Sequence, residues 1–422
     1  MIALGWEEIA VLGLGRLDGD GDAITAVKAD SREVGPGDLF VALNTGVQYV
    51  DEARSRGAAT LVPAEQEAAL AALASLVRSR SSAQIVAVVG STGKTTTKDI
   101  LGALCAPHVP TIWAERSMNN EIGLPLTVCR LEPETAVLVT EMGMRGLGQV
   151  AALCAIAKPT VVVVPHVGPE HLELLGTVER VAEANAEAVT ALPSGGTAVV
   201  PATGPLDPYL TRDDVTVRRF DPGEIEQLEG VTRFAVGDQV VELELPFTQR
   251  HLAANTLAAL HAYDALGLPL DRVSDGVATI ELSPWRGEER PLPGGGFVVN
   301  DAYNANPDSM RAALEHLADR AGGRRKVAVL GEMAELGNTA AAYHRAIGEL
   351  AGELGVAVLG VGEASRAYEP VAWAADAAAA VDEARSFVRP GDAVLVKASR
   401  AVGLEGIADE ITNFARAWSL SS

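Results

Sequence analysis

The string Gly90-Ser-Thr-Gly-Lys-Thr95 carries the residue types that hold a polyphosphate. Glycines in a short turn let backbone N–H groups curl around phosphate oxygens, and a helix starting at the turn adds its positive end. Lys94 has the reach for terminal phosphates, and the Thr95 hydroxyl suits a magnesium ion. The string is shorter than the full G-x-x-x-x-G-K-[ST] form, because Val88 occupies the outer glycine position. Its setting carries the reading: the β-branched run Ile85–Val89 precedes it and a helical stretch, Thr95–Leu104, follows. A plain strand–turn–helix connection is the alternative for such a string.

Magnesium on a triphosphate takes oxygen ligands, with one or two carboxylates and in places an imidazole beside them. Glu141 comes just after the apolar run Ala136–Val139, and His171 comes a short loop after Val161–Val164. Both are expected past the carboxyl ends of parallel strands, where open α/β sheets bind ligands. Alone, either reads as a solvated loop residue. With the phosphate loop they make a candidate metal set of Thr95, Glu141 and His171.

The elements that must position these groups follow from periodicity. Before the loop, Asp38–Leu43 and Ala59–Val62 read as strands, Glu52–Arg56 and Glu65–Arg78 as helices, and Arg78–Ser82 as a linker. From Gln84, strand runs alternate with helical stretches, ending in a helix within Pro246–Leu266. A further alternation has strands at Phe297–Asn300, Lys326–Leu330, Val356–Gly360 and Ala393–Lys397. Helices are expected between them at Asp308–Leu317, Ala340–Leu354 and Asp376–Val388, with Asp376 as an N-cap. The fold class is α/β in three units. A small N-terminal unit spans 1–82, a central phosphate-loop parallel sheet 83–283, and a Rossmann-like unit 284–422.

Composition agrees with that class. Of 422 residues, 48% are hydrophobic and only 4% aromatic, which suits Ala/Val/Leu helices on parallel sheets. A formal charge of −22 argues against a nucleic-acid partner, so a phosphate-bearing ligand needs a local cationic or amide site. The three cysteines, Cys105, Cys129 and Cys154, have no metal spacing and read as small buried residues of a reducing compartment. Neither a signal peptide nor a run long enough to span a membrane is legible, so a cytoplasmic monomer without membrane insertion is expected.

Four further strings are more specific than the loop: Asn119-Asn-Glu-Ile-Gly-Leu-Pro-Leu126, Asn300-Asp-Ala-Tyr-Asn-Ala-Asn-Pro-Asp-Ser-Met310, Val329-Leu-Gly-Glu-Met-Ala-Glu-Leu-Gly337 and Leu395-Val-Lys-Ala-Ser-Arg400. With them the chain resembles the Mur ligase family over nearly its whole length. The second string, and the absence of an Asp-Asn-Pro-Arg signature, point to the branch that adds D-Ala-D-Ala to a UDP-muramoyl tripeptide.

The resemblance implies ATP and Mg2+ as cofactors and an acyl-phosphate route. It places the triphosphate on Gly90, Ser91, Thr92, Gly93, Lys94, Thr95 and Thr96, with Asn255 by the adenine and Arg286 and Asp301 on phosphates and ribose. It makes Lys94, Glu141, His171 and Arg286 the catalytic set. Ser31 and Arg32 would meet the uridine nucleotide, Asn119 and Asn120 line its path, and Tyr303, Asn304 and Asn306 face the reacting ends. On chemistry alone, Asn304 and Asn306 could build a turn and a helix cap, Arg32 could be a surface ion-pair residue, and Lys397 and Arg400 ordinary charges ending a strand.

Three positions depart from the family pattern. Asn185 stands where a carbamylated lysine is usual, which leaves a second metal to Glu183 or Glu187, or weakly bound. Asn44-Thr-Gly-Val-Gln-Tyr-Val-Asp51 replaces an aspartate-glycine-histidine stretch. His166 replaces asparagine and is expected to be a spectator. An amide ligase with another acceptor, a non-catalytic nucleotide-binding homologue and a simple phosphate-loop kinase or GTPase are the competing readings.

Overall fold

The computed structural model describes residues 1–19, 21–416 and 418, so the expected end of the third unit at 422 lies outside the described residues. The strand Gln84–Val88 is fully buried beyond its first residue and sits in the middle of a six-stranded, wholly parallel sheet. Its neighbours are Val161–Val163 on one side and Val137–Glu141 on the other. Helices cover both faces, which is why these strands are continuous apolar runs rather than alternating ones. Because the chain leaves the Gln84–Val88 strand between two neighbours reached by separate crossovers, its carboxyl end opens a crevice.

A second six-stranded sheet holds Glu288–Leu292, Gly296–Asn300, Ala393–Lys397, Lys326–Leu330, Val356–Val361 and Ala372–Ala374, in that order. Only the first pair is antiparallel. Asn300 and Lys397 end adjacent strands, so the Asn300–Ser309 and Lys397–Arg400 segments emerge side by side. The N-terminal part carries a four-stranded sheet of Gly15–Asp18, Ala59–Pro63, Asp38–Val41 and Ala26–Lys28.

Two details refine the expected layout. Arg78–Ser82 is not a free linker: the helix Gln66–Ser79 runs through its start, and Arg78 donates to the carbonyls of Ala157 (2.8 Å) and Ser81 (2.8 Å). Burial lowers the Arg78 pKa from its ordinary value. This joint is pinned, and the apolar face of that helix (Leu70, Leu73, Val77) shares one core with Val162, Leu138 and Leu153 of the central part. Second, a three-stranded antiparallel sheet, Glu226–Gln227, Thr232–Val236 and Gln239–Leu243, was not legible between the central strands and the helix Arg250–Ala265. Its Phe234, Val236 and Leu243 pack on Leu257, Leu260 and Tyr263 of that helix.

All three cysteines are buried and free, and burial pushes each thiol up to about 12. They are inert packing groups. Among the described residues no helix is long and apolar enough to cross a membrane.

Candidate active site

The turn after the Gln84–Val88 strand requires its glycines. Gly90 has φ 118° and Gly93 φ 87°, and a Cβ on Gly93 would stand 2.3 Å from Asn255 Oδ1. Only glycine combines that conformation with that approach. The turn is also tied down: Ser91 N–H donates to His166 O (2.8 Å), and the Ser91 hydroxyl donates to Gly168 O (3.0 Å). Gly90 N–H donates to Asn185 Oδ1 at 2.6 Å. The helix Lys94–Cys105 starts at Gly93 and aims its unpaired N–H groups at the crevice. Lys94 Nζ donates to Gly90 O and lies 3.5 Å from Glu170 Oε2.

Glu141 is the last residue of its strand rather than a loop residue past it, and is 1% exposed. Asn119 Nδ2 donates to its Oε1 at 2.7 Å, while Oε2 is buried without a hydrogen-bond partner. A buried carboxylate oxygen lacking a donor is costly unless a cation or donor completes it. Magnesium keeps several waters and phosphate oxygens and needs few protein ligands. Among the described residues no three acidic, histidine or cysteine side chains form a ready-made cage. Glu141, the Thr95 hydroxyl and His171, all lining the cavity, have the chemistry for it.

Residues in the loops flanking strands of the second sheet face the crevice. Arg286 reaches Thr95 Oγ1 (2.8 Å) and stacks over the Tyr303 ring at 4.1 Å. Asn306 both caps the helix Pro307–Ala321, accepting from Ser309 N–H, and donates to Thr92 Oγ1 at 2.8 Å. The cap and the contact to the glycine turn are therefore made by the same side chain. The resulting cavity, of about 980 Å³, is lined by Ser91 to Thr96, Asn119, Asn120, Glu141, His171, Asn255, Arg286, Asp301, Tyr303, Asn304 and Asn306. Gly90 lies behind the rim. Ser31 and Arg32 are not among the lining residues: Ser31 bonds Glu52 Oε2 (3.2 Å) and Arg32 pairs with Asp30 (2.6 Å). The Arg32 hydrogen bond lowers the Asp30 carboxyl to about 2. Asn120 caps a helical turn, accepting from Gly123 N–H at 2.8 Å.

The sequence missed or misread several residues. Lys397 is not an ordinary strand-end charge: 2% exposed, it donates to Asp301 Oδ2 (2.6 Å) and Asn304 O (2.9 Å). His166, expected to be a spectator, has its Nε2 2.8 Å from Asp308 Oδ2 across the cleft. Glu187 is excluded as a second-metal ligand by its bonds to the N–H groups of Gly148 (2.5 Å) and Ala151 (3.0 Å), which cap the helix Gln149–Ala157. The carboxylate that does approach the loop is Glu170, 8% exposed. His251 also lines the cavity, and burial pushes its pKa down to about 4, which keeps it neutral. Glu170 and His251 touch the site only through tertiary packing. Their signal was at most their place beside His171 and Asn255 in sequence.

Comparison with known proteins matches this layout. Residues 88–263 match the Mur ligase middle domain, and residues 286–400 the Mur ligase, glutamate ligase domain. The UDP-N-acetylmuramoyl-tripeptide–D-alanyl-D-alanine ligase of Mycobacterium bovis is 34% identical, covering 91% of each chain. The Escherichia coli ligase of the same name is 30% identical over 96% of this chain and 98% of its own. A MurF ligase from Thermotoga maritima in complex with ADP superposes with TM-score 0.81 at 28% identity, covering 93% and 98% of the two chains. A MurF structure from Acinetobacter baumannii shares the fold at TM-score 0.84 and 24% identity, over 97% and 99%.

Proposed function

The chain belongs to the Mur ligase family, and on that premise we propose that it joins D-alanyl-D-alanine to a UDP-N-acetylmuramoyl tripeptide. ATP is converted to ADP and phosphate in the same cycle. The observation that carries the reading is one cavity between the loops of two six-stranded sheets, bridged by Arg286 on the phosphate-loop Thr95. The parts read as an acceptor unit (1–82), an ATP unit (83–283) and a closing unit (284–422).

In this reading the tripeptide carboxylate attacks the γ-phosphorus, ADP leaves, and an acyl phosphate forms. The dipeptide amine then attacks the acyl carbon, loses a proton and expels phosphate. The first step brings two anions together, so Lys94, the N–H groups at the start of the helix Lys94–Cys105 and Arg286 neutralise charge as it develops. Arg286 is held for this by Tyr303 beneath its plane. Lys397 fixes Asp301, which in this reading takes the ribose, and the Asn304 backbone, while Asn306 ties that loop to Thr92. Together they shut the crevice against water, which would otherwise hydrolyse the acyl phosphate. A magnesium ion, held by Thr95, Glu141 and His171, would supply further charge neutralisation.

The reading extends to a magnesium-dependent, cytoplasmic, monomeric enzyme of peptidoglycan synthesis, serving cell shape and division. A second reading, the same chemistry on another acceptor, is favoured by the 3₁₀ segment Asn44–Tyr49 with its exposed Val47 and Tyr49. Phosphate release from ATP, measured with each substrate omitted in turn, separates the two. Turnover that needs both the tripeptide nucleotide and D-Ala-D-Ala supports the first; turnover indifferent to either sinks it.

A further inference from the structure

Two facing residues, neither glycine, have left-handed backbones: His171 at φ 52° and Glu335 at φ 60°. Such conformations are costly and persist where the surroundings over-determine them. Those surroundings run from both sheets. Glu335 follows the strand Lys326–Leu330 in a loop whose buried Met333 and Leu336 anchor it. Met333 N–H donates to His344 Nε2 (2.9 Å), and Ala334 N–H donates to Ser399 Oγ (2.8 Å). Across the cleft, Glu335 O accepts from Glu173 N–H at 2.9 Å. Gly337 permits the approach, since a Cβ there would come 3.0 Å from Glu173 Cα.

The carboxylate held in this way reaches two partners of the central part. Glu335 Oε2 bonds His171 Nδ1, and Oε1 lies 3.3 Å from an Arg145 guanidinium nitrogen. A carboxylate only accepts, so His171 Nδ1 donates the proton of that bond, and Nε2 is left as the nitrogen that can offer a lone pair to a cation. That Nε2 lies on the phosphate-loop side, 3.6 Å from Glu170 Oε1, whose other oxygen neighbours Lys94. A carboxylate behind a histidine is the usual device for orienting a metal-binding ring.

We propose that Glu335 is a positioning residue: from the second sheet it sets the orientation and tautomer of His171, so the cation site is aligned only when the two sheets are docked. This rests on the reading of His171 as a contact to the nucleotide's cation. It makes cation affinity a consequence of closure.

The test is Mn2+ binding to the full chain with ADP, followed by electron paramagnetic resonance, for wild type, Glu335→Ala, Glu335→Gln, His171→Ala and the Glu335→Ala/His171→Ala pair. Glu335→Ala should weaken Mn2+ about tenfold or more. Glu335→Gln, whose amide oxygen still accepts from Nδ1–H, should recover most of that loss. Within the His171→Ala background Glu335→Ala should add nothing. If Glu335→Ala does not fold, Glu335→Asp, with a shortened reach, carries the same expectation. His171→Ala weakening Mn2+ while Glu335→Ala does not would overturn the proposal and leave the reading of His171 standing. An unchanged His171→Ala would remove both. Additive losses in the double variant would show that Glu335 acts elsewhere.

Discussion

The two halves of the cavity are built on different principles. The phosphate-loop half is local: six consecutive residues, two of them glycines at positive φ, leave one strand and start one helix. The opposite half is assembled from Arg286, Asp301, Asn306, Glu335 and Lys397, whose carriers are spread over more than a hundred residues. Each of these reaches its place through a specific hydrogen bond or ion pair rather than through a shared turn. The first half is a consequence of backbone geometry. The second exists only when the two sheets face each other, so its integrity reports on docking.

Substitutions can break or sharpen that contrast. The largest expected effect is at Asp99, on the helix that starts at the loop. It pairs with the fully buried Lys98 (2.6 Å) and accepts from Ser283 N–H (2.9 Å), at the junction leading to Arg286. Asp99→Ala removes the counter-charge of a buried lysine, leaving it only the carbonyls of Ala114 (2.6 Å) and Arg116 (2.8 Å), and should cost about 3 kcal/mol, read by chemical denaturation. An unchanged midpoint would mean the junction is not held from this helix.

Next is Lys94→Met, which should lower ATP-dependent phosphate release by about 10²–10³-fold with the melting temperature retained. If the loop half is as local as its geometry indicates, the cleft contacts His166–Asp308 and Asn306–Thr92 persist in that variant. Smaller is Asn306→Ala, which removes a helix cap and the bond to Thr92. About 1 kcal/mol of stability should be lost, read by chemical denaturation, together with a fall in kcat. Loss of stability without any change in kcat would reduce Asn306 to a cap.

A gentler probe is pH. Burial lowers the pKa of His344, which holds Met333 through a neutral Nε2, and of His251, His261 and His316. These are bases whose folded-state pKa lies below the unfolded value of 6.5, to about 4 for His251. As pH falls from about 6.5 toward 4, the unfolded chain binds protons that the folded chain refuses, so stability drops. The melting temperature should fall between pH 7 and 5, and His344→Gln should flatten that slope. The smallest structural effect is expected at Arg32→Ala, whose guanidinium is 79% exposed. The melting temperature should not move, whereas KM for the UDP acceptor should rise; an unchanged KM would remove Arg32 from the acceptor site.

Legibility in the sequence followed the same division. The runs Lys326–Leu330 and Ala393–Lys397 appear in the structure with the bounds read from the sequence, because strands buried on both faces are unbroken apolar runs. Asp376 caps its helix as expected, accepting from Ala379 N–H. The sheet Glu226–Leu243 was missed since its strands are short and half-exposed, with no continuous apolar signal. Glu141 was read as a loop residue because a charged side chain looks like a strand end, when Asn119 makes its burial tolerable.

By itself the sequence determined the glycine turn between strand and helix, the α/β alternation and the family, because each depends on residues adjacent in the chain or on strings long enough to be distinctive. Tertiary structure alone decided that Asn185 binds the loop amide of Gly90, that Glu187 faces away, and that Glu335 stands behind His171. Those outcomes turn on the direction of single side chains across a cleft. Local propensity carries no information about such directions; only the packing of one sheet's loops against the other's sets them.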